Sequence, residues 1–398
     1  MSRVLPEDLA EALDITFFDY QVEAFDGWDQ QGGDPERRRA CLYYRTGAGK
    51  TITALCMLAL NNDREALVIA PPVTHAQWQA VGVRLGITLT IVSHAKFRQS
   101  GFKIRKDQPV ICDEFHLLGG HKGQGWKKFD RLSGSLQAPV IICSATPNYN
   151  DAERCYCIKR IVDLPNTKGG YIQFLYTACS TEQNPFGMEP LVTGFLHHAN
   201  AAEYLASLPN VYYLEDTAVF TIEDVPYTVP PQPELDQFGL SVRDGRIMAS
   251  GIEERWQRTY HGLLDDEGNF RQPVLDIIET ERLASSTPVL MFCASARVAA
   301  QLADAYKHLR VGLVTGGNSS KEKMSVIDAF RHGKLDVLIG TATLASGTDG
   351  VDVMCDTLII VNDTDDAAMR RQLIGRILPR GAAIGSTKTI VRMVPDGT

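Results

Sequence analysis

Short, almost uninterrupted apolar runs of β-forming residues alternate along this chain with longer helical stretches, and that alternation limits its possible folds more than any other feature. ALVIAPP (66–72), VICDEF (110–115) and PVIICSATP (139–147) come first; VLMFC, VGLVTG, DVLIGT and TLIIVN follow between 289 and 362. Strands separated by helix-length connections predict parallel sheets with crossover helices. Apolar residues on both strand faces, in place of in/out alternation, mean that helices cover both sides of each sheet. The fold class is α/β.

The strands fall into two clusters, one up to about residue 163 and one from about 288, so two sheets are expected. A chain of 398 residues fits two domains, each of roughly 150 to 200 residues. They are expected over 1–225 and 226–398, with a weakly periodic segment from about 165 inside the first. VPYTVPPQPEL (225–235) is too rich in proline for a central strand or a helix interior and reads as a hinge. EERWQRTYHGLL (253–264) and VLDIIETERLA (274–284) read as helices leading into the second sheet.

Hydrophobic residues at 44% and charged residues at 22% exclude a fibrous or largely disordered chain. No apolar run approaches the roughly 20 residues that span a bilayer, and the N-terminus lacks the apolar core of a signal peptide. No membrane partner and a cytoplasmic location are therefore expected. The nine cysteines lie mostly in apolar runs without CxxC spacing, and the close pair Cys155 and Cys157 points to different faces, so reduced thiols are expected rather than zinc. His121, His197 and His198 lack ligand-spaced partners and read as loop or surface residues. A net charge of -8 argues against indiscriminate coating of nucleic acid but leaves room for a local basic track.

In CLYYRTGAGKTITALCMLAL an apolar strand end runs into Thr46, Gly47, Ala48, Gly49, Lys50 and Thr51 and then into an apolar helix. Glycines let backbone N–H groups curl around phosphate oxygens, and the helix N-terminus adds its positive dipole. Lys50 reaches the β and γ phosphates and Thr51 offers a hydroxyl to magnesium, so ATP and Mg are the expected cofactors. The longer GxxxxGK[ST] pattern asks for glycine where Tyr44 stands.

Further along, VICDEFHLL is an apolar strand ending in Asp113, Glu114, Phe115 and His116. A carboxylate at a strand's C-terminal end can hold magnesium on the phosphates while its neighbour polarises the attacking water, which assigns Asp113 to the metal and Glu114 to the water.

The phosphate loop and the acidic box together resemble those of superfamily 2 helicases of the DExH type, whose members commonly keep the shorter GxGKT core. The resemblance touches residues from about 17 to 381 and implies two RecA-like lobes with the ATP site in the cleft between them. It makes Gln21, in FFDYQVEAF, the residue that pairs with adenine, and His116 a link from the nucleotide site to the next strand. Ser144 and Thr146, in SATP, take the place of motif III and couple to the acidic box. Pro71, in a motif Ia of Swi/Snf flavour, and Ser93, in IVSHAKFR, become contacts to the bound strand's backbone.

VLMFCASARVAAQLADAY resembles motif IV, and GTATLASGTDGVDV resembles motif V. The latter makes Gly347 and Asp349 nucleotide-facing and Thr341 and Thr343 contacts to strand phosphates. RRQLIGRILPRG resembles motif VI through Gln372, Gly375 and Arg376, with arginine supplied from the opposite lobe to the γ phosphate. The usual second arginine position is proline here; either a small bulge restores Arg380 or Arg376 works alone. The loop GGHKGQGWKK (119–128) suits a phosphate backbone and a stacked base; packing of Trp126 on the domain is the alternative, and Trp78 and Trp256 read as packing residues.

The resemblance is to compact phage-encoded helicases of the UvsW type and implies an ATP-dependent DNA helicase or translocase. DNA, single-stranded, duplex or branched, is the expected partner, along with replication or recombination proteins. RNA is the alternative strand, and a nucleotide-gated binding module with little turnover is the reading from a different class.

Overall fold

The computed structural model describes residues 4–31, 37–45, 47–144, 152–163, 170–184, 189–214, 221–228, 242–243, 246–247, 262–265, 267–345, 351–363, 367–378 and 388–395. They form two compact units, Met1–Thr217 and Ala218–Thr398.

In the first unit, helices α1 (Pro6–Leu13) and α2 (Asp19–Asp29) precede strand β1 (Arg39–Tyr44). Then come α3 (Lys50–Leu60), β2 (Glu65–Ile69), α4 (His75–Arg84), β3 (Thr88–Val92), α5 (His94–Arg98), β4 (Val110–Cys112), α6 (Gln124–Ser135), β5 (Val140–Ser144) and α7 (Ala152–Val162). After α8 (Tyr171–Ala178), β6 (Cys179–Glu182) and β7 (Leu191–Phe195) pair as an antiparallel hairpin, followed by α9 (Ala201–Ala206) and β8 (Val211–Leu214). The main sheet is parallel throughout, in the order β3-β2-β4-β5-β1-β8.

The continuous apolar strands divide between two cores because alternate residues face opposite ways. Cys41, Tyr43, Val110, Cys112, Val140 and Ile142 enter one; Ala40, Leu42, Tyr44, Ile111, Ile141 and Cys143 enter the other. The weakly periodic segment from 165 holds α8, the hairpin, α9 and β8, which closes the sheet beside β1.

In the second unit the strands are β9 (Thr221–Tyr227), the small antiparallel pair β10 (Val242–Arg243) and β11 (Arg246–Ile247), β12 (Val289–Cys293), β13 (Val311–Val314), β14 (Val337–Gly340), β15 (Thr357–Asn362) and β16 (Thr389–Pro395). Its main sheet runs β13-β14-β12-β15-β16-β9, again all parallel. Helices Gln272–Ala284, Ala296–Ala305, Ser320–Arg331 and Ala367–Ile374 occupy the connections. Ser319 and Glu322 form a capping box that starts Ser320–Arg331, explaining why the chain turns helical at NSSKE. Two cores flank this sheet as well.

The units divide at Thr217/Ala218, ahead of the 225/226 division expected from the sequence. Residues 221–227 pair with β16 as an edge strand, a position that tolerates Pro226 because its missing N–H need not join a ladder. The expected hinge beyond 228, and all but the last residues of the expected helix at 253–264, lie outside the described residues. Among the described residues no helix is long and apolar enough to cross a membrane.

Candidate nucleotide and nucleic-acid site

The loop between β1 and α3 is shaped by its glycines. Gly47 and Gly49 have φ of 77° and 75°, a left-handed region closed to most side-chain-bearing residues. Gly49 is the N-cap residue of α3, so the helix begins at Lys50. A Cβ on Gly49 would stand 2.9 Å from Gln21 Nε2. Lys50 Nζ donates to the carbonyls of Tyr44 (3.2 Å) and Arg45 (3.3 Å) at the end of β1. Ala48 is buried and accepts from the Tyr20 hydroxyl at 3.2 Å. Thr51 follows on the first turn of α3; Thr46 lies outside the described residues.

Gln21 is brought to this loop but is buried. Its Oε1 accepts from Phe18 N (3.1 Å), capping α2, and its Nε2 donates to Thr53 Oγ1 (3.0 Å) on α3. The amide keeps a second N–H and a second lone pair. Its structural part is to fasten α2 to the phosphate-loop helix.

The acidic box sits where β4 ends. Asp113 is 7% exposed and each carboxylate oxygen is anchored: Oδ2 accepts from Trp78 Nε1 (3.1 Å) and Oδ1 from Glu114 N (2.9 Å). Burial, reinforced by Glu114, pushes its pKa up to about 6; the Lys50 charge and the two hydrogen bonds oppose the rise. Glu114 has φ 44° and ψ 51°, a left-handed backbone at a residue with a side chain, a strain on the order of 1–2 kcal/mol. Its Oε2 is buried without a hydrogen bond among the described residues, and His116 Nδ1 lies 3.4 Å away. Backbone strain and a buried oxygen without a hydrogen bond are both features that cluster at functional positions.

These residues fit a magnesium ion with its nucleotide. The Thr51 hydroxyl and the free lone pairs of the Asp113 carboxylate are the hard oxygen donors that such an ion takes, beside a lysine for the phosphates. When bound, the ion supplies positive charge to the phosphate oxygens.

Trp78, expected to pack, is fully buried but also orients Asp113; the signal was available, since a buried indole N–H needs an acceptor. His94 was not anticipated at all. Its Nε2 donates to the Asp113 carbonyl at 2.9 Å, and burial lowers its pKa to about 4. Trp126 is buried edge-on against Phe115 (ring centroids 5.7 Å apart), so it packs and does not offer a stacking face. Lys128 Nζ is engaged with the carbonyls of Phe97 (2.7 Å) and Gln99 (2.6 Å).

Ser144 ends β5 with its buried Oγ making no hydrogen bond among the described residues; Thr146 lies outside them. Pro71 is buried and its carbonyl accepts from Thr74 Oγ1 (2.9 Å), leaving Pro72 as the exposed residue of that turn. The Ser93 hydroxyl caps α5, accepting from Lys96 N at 3.1 Å. His121 pairs with Glu153 and lies against the Tyr171 ring, 4.0 Å between centroids. His197 and His198 stand after β7, with His198 Nε2 3.4 Å from Ser207 Oγ. All nine cysteines are buried and free, and no group of three or more His, Cys, Asp or Glu is placed to hold a metal among the described residues.

In the second unit, Thr341 is buried at the end of β14, its hydroxyl 3.3 Å from that of Thr343, which donates to the Val314 carbonyl. Gly347 and Asp349 lie outside the described residues, as does Arg380. The segment that leads into β15 is held by Lys388, whose Nζ donates to Cys355 O (2.9 Å) and Asp356 Oδ1 (2.7 Å). Gln372 is on helix Ala367–Ile374, its side chain outside the described set, and Arg376 follows with 4% exposure.

Each unit is a parallel-sheet α/β lobe of RecA-like form, and the first carries the phosphate loop and the acidic box. Residues 272–380 match the helicase conserved C-terminal domain. A stretch of 97 residues, 24% of the chain, is 31% identical to the ATP-dependent DNA helicase RecG of Pasteurella multocida (strain Pm70), spanning 14% of that relative's length. In structure the chain is similar to S. cerevisiae Dbp5 bound to RNA and ADP BeF3, with 17% identity and a TM-score of 0.58, covering 99% of this chain and 88% of that one.

Proposed function

We propose that this chain is an ATP-dependent DNA helicase or translocase, coupling ATP hydrolysis to movement on DNA or to its unwinding, in the manner of compact phage-encoded enzymes of the cytoplasm. The observation that carries the reading is the acidic box. A buried carboxylate anchored on both oxygens stands beside a strained glutamate with an unsatisfied oxygen, under the field of Lys50. The helicase C-terminal domain and the local likeness to a DNA helicase support it.

In this reading Lys50 and the loop amides bind the phosphates, Thr51 and Asp113 hold magnesium, and Glu114 takes the proton of the attacking water. Gln21, Gly347 and Asp349 attend the nucleotide. Arg376, with Arg380, neutralises charge developing on the γ phosphate, an effect that reaches about 10³-fold or more in rate. Pro71, Ser93, Thr341 and Thr343 face the strand, while His116, Ser144, Thr146 and Gln372 couple strand to nucleotide.

The test is ATP hydrolysis by the wild type and Lys50→Ala, alone and with single-stranded, duplex or forked DNA, and with RNA, at fixed low salt. Stimulation by DNA that vanishes in Lys50→Ala is expected. Preferential stimulation by RNA would move the reading to an RNA helicase. Hydrolysis absent, or indifferent to every nucleic acid, would leave a nucleotide-gated binding module.

A further inference from the structure

We infer that helix α5 is the element through which an engaged nucleic-acid strand acts on the acidic box, with His94 and Arg98 as its positioning residues. The inference rests on the nucleic-acid-dependent hydrolysis proposed above. His94 Nε2 donates to the Asp113 carbonyl (2.9 Å) and Arg98 Nη2 donates to the Leu117 carbonyl (3.1 Å). These two bonds bracket Glu114, the residue with the strained backbone.

Such a conformation persists only while its surroundings hold it, so a small shift of α5 changes where the Glu114 carboxylate is aimed. The helix is itself fastened. Phe97 is fully buried against the rings of Phe102 and Phe129, and Lys128, on the helix that follows the box, holds the carbonyls of Phe97 and Gln99. A five-residue helix tied at both ends to the same segment moves with that segment as one body.

The helix and the loop that follows it carry the chemistry for a phosphate backbone. Residues 94–106 (HAKFRQSGFKIRK) contain Lys96, Arg98, Lys103, Arg105 and Lys106 and no carboxylate, in a chain of net charge -8. Lys96 and Lys103 are exposed, whereas Arg105 is paired with Glu65 and Asp107. Strand phosphates gathered by these cations load α5, and the two carbonyl bonds pass that load to Glu114.

The experiment titrates single-stranded DNA against steady-state ATP hydrolysis of the full chain for wild type, Arg98→Ala, His94→Leu and His94→Gln, with Tm measured for each. Arg98→Ala is expected to lower the stimulated plateau about tenfold or more with half-saturating DNA, unstimulated rate and Tm near wild type. His94→Gln, which keeps an N–H at the same reach, retains most of the plateau that His94→Leu loses. If His94→Leu fails to fold, Arg98→Ala decides alone.

A full plateau reached at higher DNA concentration makes Arg98 a simple phosphate contact and overturns the inference. An equal drop in stimulated and unstimulated rates makes the link merely structural and overturns it too. A wild type that DNA does not stimulate overturns the proposed function beneath it, a distinguishable result.

Discussion

In the proposed function, Glu114 is the residue on which the chemistry turns. Its left-handed backbone and its buried Oε2, without a hydrogen bond among the described residues, both cost stability. Glu114→Gln keeps shape and strain but removes the proton acceptor; hydrolysis should fall by about 10² to 10⁴ while ATP still binds, as phosphate release and equilibrium binding together would show. Asp113 must be ionised to serve a cation, and burial pushes its pKa up to about 6 in the free protein, so magnesium should bind more weakly as pH falls through that value. Trp78→Phe removes a donor that favours the ionised form and should move this loss of magnesium binding to higher pH; a magnesium titration across pH that stays in place counts against the role given to Trp78.

His94 gives a separate stability signature. It is buried neutral, with its pKa lowered to about 4 from 6.5, so below pH 6.5 the unfolded chain binds a proton that the folded chain refuses. The stability at stake is intact above about 6.5 and lost as pH falls toward 4, amounting to about 3 kcal/mol. Asp113, raised to about 6, contributes the opposite slope over the same range, so the signature is a difference: as pH falls from 6.5 toward 4, the melting temperature of the wild type should drop relative to that of His94→Gln.

Among elements, the strand–loop–helix unit of β1, the phosphate loop and α3 was legible because each part follows a local rule: a short apolar strand, glycines where φ is positive, an apolar helix. Gly49→Ala combines a left-handed φ with a Cβ 2.9 Å from Gln21 Nε2. It should cost about 1–2 kcal/mol and weaken ATP binding, measurable by denaturant unfolding and nucleotide titration. Unchanged stability would mean that Gln21 yields freely. The segment from 165 was less readable. Its hairpin and α9 are short, and β8 is a strand of four residues whose place beside β1 is a long-range pairing that no local pattern reports.

At the scale of the molecule, each unit contains its own sheet with a core on either face. Residues 1–217 produced alone should unfold cooperatively and bind ATP, with calorimetry and nucleotide titration as the check. A fragment without a thermal transition would show that the cores are not self-sufficient. A fragment cut at 218 should keep β9 with the second sheet, whereas a cut at 226 removes its edge strand and should lower Tm.

Period and composition alone determined the α/β class, the two lobes, the phosphate loop and the acidic box, since strand length, glycine placement and carboxylates at strand ends are local properties of the chain. The order of the strands, the assignment of 221–227 to the second sheet, the strain at Glu114, and the recruitment of Trp78 and His94 to Asp113 were decided by the tertiary structure. Each of these depends on which residues distant in sequence are buried together, and burial turns an ordinary indole or imidazole into a group that must find its partner.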